Sequence, residues 1–290
     1  LTDDQPAPRS EAEQTSPLGP ETRRLAAQTA ELRRQVAQLE VQLRSRTKIA
    51  LAEGVLVERY GLPDTEAAFS LMRQASQRAN IKLHQVAVAV ARTSGPNPGA
   101  ESWFEPRPPE PAPPLGALGS GPLDAGNQGE VLGTALNRVL DITGTDMGNV
   151  QLVEDTTLRM EKHTGLNREF TDFFAFVDGG TSCSRAAVAS SQVTVKDVAT
   201  SPGFDDLSRR VILSAGSRAC HSVPLVDGSD TVHGVISSHH ARPLIGFTGA
   251  QLRALQATSR ATGAWIDWHR RTVLPRALED LHRLALARQG

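Results

Sequence analysis

Apolar positions in the first third of the chain follow two helical rhythms. Leu25, Thr29, Leu32, Val36, Leu39 and Leu43 alternate four and three residues apart, the heptad seam of a coiled coil. Leu25, Leu32 and Leu39 fall at d, with Thr29, Val36 and Leu43 at a. Leucine at d with a β-branched residue at two of the three a positions favours a two-stranded, homodimeric coil if the strands are parallel. Gln28, Gln35 and Gln42 fall at g and carry no charge to set orientation. Packing of this stripe on the protein's own globular part is the alternative. Arg46 occupies the next d position and ends the seam; Ile49, Ala52, Leu56, Val57 and Tyr60 then form a wider stripe. Gly61 and Pro63 stop that helix. Asp64 or Thr65 caps a second helix, in which Ala68, Leu71, Met72, Ala75 and Ala79 recur at three and four. Asn80 reads as the N-cap of a third, with Leu83, Val86, Ala87 and Val90 inward.

Elsewhere the pattern changes twice. Residues 1–20 are polar and aperiodic and predict disorder, and the coiled coil is assigned to 21–45. Residues 94–126 hold nine of the eighteen prolines and read as a Pro/Gly-rich linker, with Trp103 and Phe104 able to pin part of it onto a domain. From residue 127 the texture is α+β. A helix through Val131–Leu140 is followed by period-2 strands at 149–153 and 157–161 about a turn at Glu154–Asp155. Short helices at 167–176 and 183–190, a strand at 192–198 and a helix at 206–213 come next. A hairpin about Asp227–Gly228 precedes a long last helix opened by a Thr248/Gln251 capping box. This second domain spans 127–271. A basic amphipathic tail, 272–290, extends the closing helix past Pro275 or docks on a partner subunit.

Charge adds one clue. Residues 21–93 carry twelve Lys/Arg against seven Asp/Glu, or +5, which leaves −6 for the remainder of a chain whose net charge is −1. A basic half suggests an anionic partner, or else a solvated helix face. Two cysteines fit a reducing cytoplasm, and no apolar run is long enough to span a membrane.

Residues 46–91 resemble the ANTAR domain. The resemblance rests on Arg46, Ile49, Ala52-x-Gly54, Leu56, Gly61, Glu66-Ala-Ala-Phe69, Leu71-x-Arg73, Ser76, Asn80 and Lys82-Leu83-x-x-Val86-Ala87. It implies a three-helix RNA-binding module of bacterial transcription antiterminators at 46–93, usually preceded by a coiled coil. Two positions depart from the family pattern: Glu53 stands where Lys is usual, and His84-Gln85 replace Arg-Asp. Both remove positive charge. Residues 127–270 resemble a GAF domain through Gly180-Thr-Ser-Cys-Ser-Arg185-Ala186, Asp197 ahead of Pro202-Gly-Phe204, Gly216-Ser-Arg218, Cys220-His-Ser222-Val-Pro224 and His233-Gly234. That resemblance implies a sensor with a central antiparallel sheet and a small-molecule, redox or light signal, and it names no ligand.

The expected fold is therefore multidomain: an all-α coiled coil and three-helix bundle, then an α+β GAF-like domain. Lys/Arg off the apolar stripes suit phosphate contact, and polar side chains suit base edges. Arg46, Lys48, Arg73, Arg78, Lys82 and His84 are candidates for the first role, Ser76 and Asn80 for the second. Leu25, Leu32, Val36, Leu39 and Leu43 are the candidate dimer contacts. Cys220 and His221, adjacent in a strand, point to opposite faces and cannot pair. No zinc spacing, P-loop, nucleophile elbow or dinucleotide fingerprint occurs, so neither an enzyme nor a metal site is expected. The resemblances imply a signal-responsive antiterminator that binds stem-loops in nascent mRNA. The alternative is a ligand-sensing or protein-interaction regulator whose head has lost RNA binding, motivated by Glu53 and His84.

Overall fold

The structure, a computed structural model, describes residues 20–97 and 99–288, so the segment expected to be disordered lies outside the described residues except for Pro20. Helix α1 (Pro20–Tyr60) is unbroken, and the heptad segment continues directly into the head. It ends at Gly61, whose φ of +59° is a left-handed exit that glycine adopts without strain. Asp64 caps α2 (Thr65–Ala79) by accepting the Ala67 N–H at 2.8 Å. Asn80 is not the N-cap of the next helix. It closes α2 in the left-handed conformation (φ 51°), and α3 (Leu83–Arg92) starts from Lys82, which offers no side-chain cap. An asparagine serves either end, because its short amide tolerates positive φ as well as it caps.

The second domain is a six-stranded antiparallel sheet of order β3-β2-β1-β6-β5-β4. Its strands are β1 (Met147–Glu154), β2 (Thr157–Thr164), β3 (Phe176–Val177), β4 (Val193–Val195), β5 (Ala219–Val226) and β6 (Val232–His240). Helix α4 (Gln128–Thr143) and the first half of the last helix, α8 (Gly249–Leu286), cover one face through Val131, Leu132, Leu136, Leu255, Trp265 and Ile266. Helices α5 (Arg168–Phe173), α6 (Ser182–Ala189) and α7 (Asp206–Ser214) cover the other through Phe170, Ala186 and Ile212. The two-residue strand β3 is too short for periodicity to reveal.

Helix α8 crosses the boundary expected near residue 271, extending past Pro275 as one of the two readings of the tail had it. It runs through Pro275 without a break, although proline there removes one backbone donor. Its second half buries Val273, Ala277, Leu278, Leu281 and Ala285 in the same core as Ala52, Leu56, Leu71, Met72, Val86 and Val90. The last helix of the chain is thus a fourth helix of the head. Part of the linker is fixed to it: Glu279 accepts the N–H groups of Trp103 (3.0 Å) and Phe104 (2.7 Å). His282 Nε2 donates to the Ala100 carbonyl (3.0 Å), which leaves its Nδ1 to accept from the Tyr60 hydroxyl at 2.8 Å.

Candidate nucleic-acid interface

The eight candidate RNA contacts separate into three groups. Arg46, Arg73 and Arg78 are exposed and have no ion-pair partner among the described residues. Ser76 and Asn80 are used by the α2–α3 turn, where Ser76 Oγ donates to the Ile81 carbonyl at 2.6 Å while Asn80 holds the left-handed cap. Ser76 is therefore committed to the backbone and is not a free reader of base edges.

Lys48, Lys82 and His84 form the third group, and all three face the β1–β2 hairpin. That hairpin turns at Asp155, which takes φ +59°. The ladder shifts register between Val150 and Gln151, leaving Glu161 as the extra residue on β2. Lys48 Nζ pairs with Glu154 and lies 3.2 Å from Asp155 Oδ2. Lys82 Nζ pairs with the nearly buried Glu161 carboxylate and lies 3.4 Å from the Glu161 carbonyl. Arg92, at the end of α3, pairs with Asp155. Carboxylates of the second domain thus occupy the cations of Lys48, Lys82 and Arg92. From sequence Glu154–Asp155 was read only as a turn, and neither that pair nor Glu161 was read as a partner of the head; the −6 charge outside the head was the one available signal.

His84 corrects an expectation. It is buried rather than outward-facing, with Nε2 3.8 Å from Glu161 Oε1 and 4.0 Å from Glu154 Oε2. Burial, reinforced by Arg159, Lys82 and Lys48, pushes its pKa down to about 3, so the imidazole is neutral at pH 7. Glu53, the other departure from the family pattern, has its carboxyl pKa raised by partial burial and by Glu66.

The heptad residues Leu25, Leu32, Val36, Leu39 and Leu43 are each more than half exposed. They do not pack on the protein's own globular part. Burying such a row requires another chain.

Inside the sensor, Cys220 and His221 do point apart. Cys220 Sγ lies 3.3 Å from Ser182 Oγ, whereas His221 meets Thr194 Oγ1 (2.8 Å) and Gln192 Oε1 (3.0 Å). Burial pushes the Cys220 thiol up to about 12, so it holds no thiolate at neutral pH. Asp227, His233 and Asp267 bring three possible metal-ligand atoms within 4.8 Å of one another. Arg270 Nη1 lies 3.3 Å from His233, and Arg271 Nε 2.9 Å from Asp267, so cations of the protein already serve that cluster.

Comparison with family models matches residues 37–90 to the ANTAR domain and residues 127–264 to the GAF domain. The chain has an ANTAR–GAF architecture. The ANTAR domain implies RNA-binding regulation and the GAF domain implies sensing; both are regulatory domains. No curated protein matches the chain. Similar solved structures include the GAF domain/HD domain protein from Geobacter sulfurreducens, at 14% identity over 48% of this chain and 92% of that one, with a TM-score of 0.42. The GAF domain of the Acinetobacter phosphoenolpyruvate-protein phosphotransferase covers 70% of this chain and 94% of its own, at 13% identity and a TM-score of 0.40. Free methionine-R-sulfoxide reductase from Neisseria meningitidis in complex with its substrate is also similar, at 18% identity over 52% and 95% with a TM-score of 0.36. Among the described residues, no helix is long and apolar enough to cross a membrane.

Proposed function

We propose that this ANTAR–GAF chain is a cytoplasmic, dimeric, non-enzymatic regulator whose ANTAR domain binds stem-loops in nascent mRNA and prevents terminator formation. The fold described above is then its closed form, in which the GAF domain withholds part of the RNA-binding edge. The observation that carries the reading is the engagement of Lys48 and Lys82 by Glu154, Asp155 and Glu161. Two long cations held by carboxylates on a neighbouring domain are a charge pattern that phosphates can replace. Arg46, Arg73 and Arg78 stay open for a first encounter, and the exposed leucine row brings two heads together.

The test is a triple variant, Glu154→Gln, Asp155→Asn and Glu161→Gln, measured for stem-loop binding at two salt concentrations. Releasing the clamp raises RNA affinity by about tenfold or more, within the usual range of coupling between sites. Neutralising the exposed Glu101, Glu105 and Asp141 instead changes net charge equally and leaves affinity nearly unchanged. Adding Arg73→Ala and Lys82→Ala to the triple variant weakens binding and flattens its salt dependence. If neither native protein nor triple variant prefers a stem-loop over an unrelated hairpin, the head is an interaction module and not an RNA reader.

A further inference from the structure

A cavity of about 470 Å³ lies at the seam between the two domains. One wall is α3 of the ANTAR domain (His84, Val88), and the other is the hairpin and α8 of the GAF domain (Leu152, Arg159, Trp265, His269). The volume falls within the range of small-molecule sites, and so does the mix of apolar wall with a few convergent polar groups. The pocket on the opposite side of the sheet, lined by Phe170, Phe174, Phe204 and Cys183, measures only about 20 Å³ in this conformation.

The polar end of the seam cavity is incompletely satisfied. Arg159 Nη1 and His269 Nε2 are buried with no hydrogen-bond partner. Arg159 Nη1 lies 3.7 Å from both Glu154 Oε2 and Glu161 Oε1, beyond hydrogen-bonding reach of each. His84 Nε2 stands 4.0 and 3.8 Å from the same two oxygens. The other carboxylate oxygens, Glu154 Oε1 and Glu161 Oε2, are taken by Lys48 and Lys82. A ring of donors and acceptors is thus drawn up around a gap, and buried polar groups left in that state are costly. The lining holds both signs, with Arg92, Arg159 and Arg270 beside Glu154, Asp155 and Glu161, and Lys48 and Lys82 pair with these carboxylates from outside it.

We propose that this seam cavity binds an uncharged aromatic amide or lactam, and that the bound ligand holds the ANTAR domain in its closed position. A carboxamide edge carries the two functions the ring lacks: its oxygen accepts from Arg159, and its N–H donates to Glu154 or Glu161. The aromatic body lies against Leu152, Val88 and Trp265. Neutrality follows from the mixed ring, since an anion would meet the Glu154 and Glu161 oxygens and a cation would meet Arg159. Both walls exist together only while the domains are closed, so the occupant has differential affinity for that state, as a conformational effector requires. This role for the ligand rests on the RNA reading above; the binding site itself does not.

The experiment uses the full chain with benzamide and indole-3-carboxamide as probes, benzoate and benzamidine as charged counterparts, and saturation-transfer NMR with thermal shift as readouts. The amides bind and raise the melting temperature, and the charged counterparts do neither. Val88→Phe, which fills the cavity from the half-buried face of α3, abolishes amide binding, and Arg159→Gln weakens it at least fivefold, a change well above measurement scatter. Absence of amide binding to the native chain overturns the site, as does binding that survives both variants. In a second arm, saturating indole-3-carboxamide raises the stem-loop dissociation constant about fivefold or more. RNA binding that the amide leaves unchanged overturns the closing role. A chain that binds the amides but no RNA retains the site and loses the RNA reading instead.

Discussion

Gly263 sits where α8 crosses β5, and a Cβ there would lie 2.6 Å from the Val226 backbone nitrogen and closer still to the Val226 carbonyl. Backbone cannot yield as a side-chain tip does. Gly263→Ala therefore destabilises the chain by about 2–3 kcal/mol, the upper range for overpacking, measurable as a shift in the urea midpoint; a change under about 0.5 kcal/mol would mean that α8 slides freely on the sheet. Nothing local announces this, since a glycine in a helical stretch reads first as a weak point. Single residues were legible where their role is local. Asp64 as a cap, Gly61 as a stop and the Thr248/Gln251 box depend on neighbours within four residues. His84 was not, because what faces it are Glu154 and Glu161, seventy residues or more away. Asn80 failed for another reason: the same residue type suits both ends of a helix.

Among the elements, α8 carries most of the architecture. Its first half covers the sheet and its second completes the head, so the two hydrophobic cores are joined by one rigid rod. Leu281 is fully buried among head residues. Leu281→Ala should lower stability by about 2–5 kcal/mol, as expected for a truncated core leucine. Hydrogen exchange should place the loss in α1, α2 and α3 while β5 and β6 keep their protection. Equal loosening of the sheet would show that the two cores unfold as one. The amphipathic stripe of Leu274, Leu278 and Leu281 was visible in sequence, as was its helical period. Its partner was not visible, because an apolar stripe states that something must cover it and does not say what. The pinning of the linker by Trp103 was legible for a similar reason: an indole in a proline-rich tether needs somewhere to go.

At the scale of the whole molecule, pH and self-association are the accessible levers. Burial pushes the pKa of His221 down to about 4 and that of His239 to about 3, each reinforced by His240. Both have folded values below the unfolded 6.5, so below that pH the unfolded chain binds more protons. Stability is accordingly full above pH 6.5 and is lost as pH falls toward 4. Between pH 7 and 5 the loss is about 2 kcal/mol per histidine. A melting temperature that stays constant from pH 7 to 5 would show that these imidazoles are hydrated in the fold. The exposed heptad row provides the second lever: Val36→Lys with Leu39→Lys should convert the proposed dimer to a monomer in sedimentation velocity, with the far-ultraviolet helix signal falling only modestly. A native chain that sediments as a monomer at micromolar concentration would remove the dimer from the proposal.

The chain's own pattern determined the heptad spacing along α1, the three head helices, the Glu154–Asp155 and Asp227–Gly228 turns and the order of the α+β elements other than β3, because each depends on periodicity or turn chemistry within a few residues. It also determined the charge split between the head and the remainder. Only the tertiary structure decided where those charges meet, since Coulomb attraction and burial act through space between segments that sequence separation hides. The basic edge that suggested an external anion already holds an internal one, at Glu154, Asp155 and Glu161. The same closure builds the seam cavity, whose walls come from α3, β1, β2 and α8 and exist as a site only once those elements have packed together.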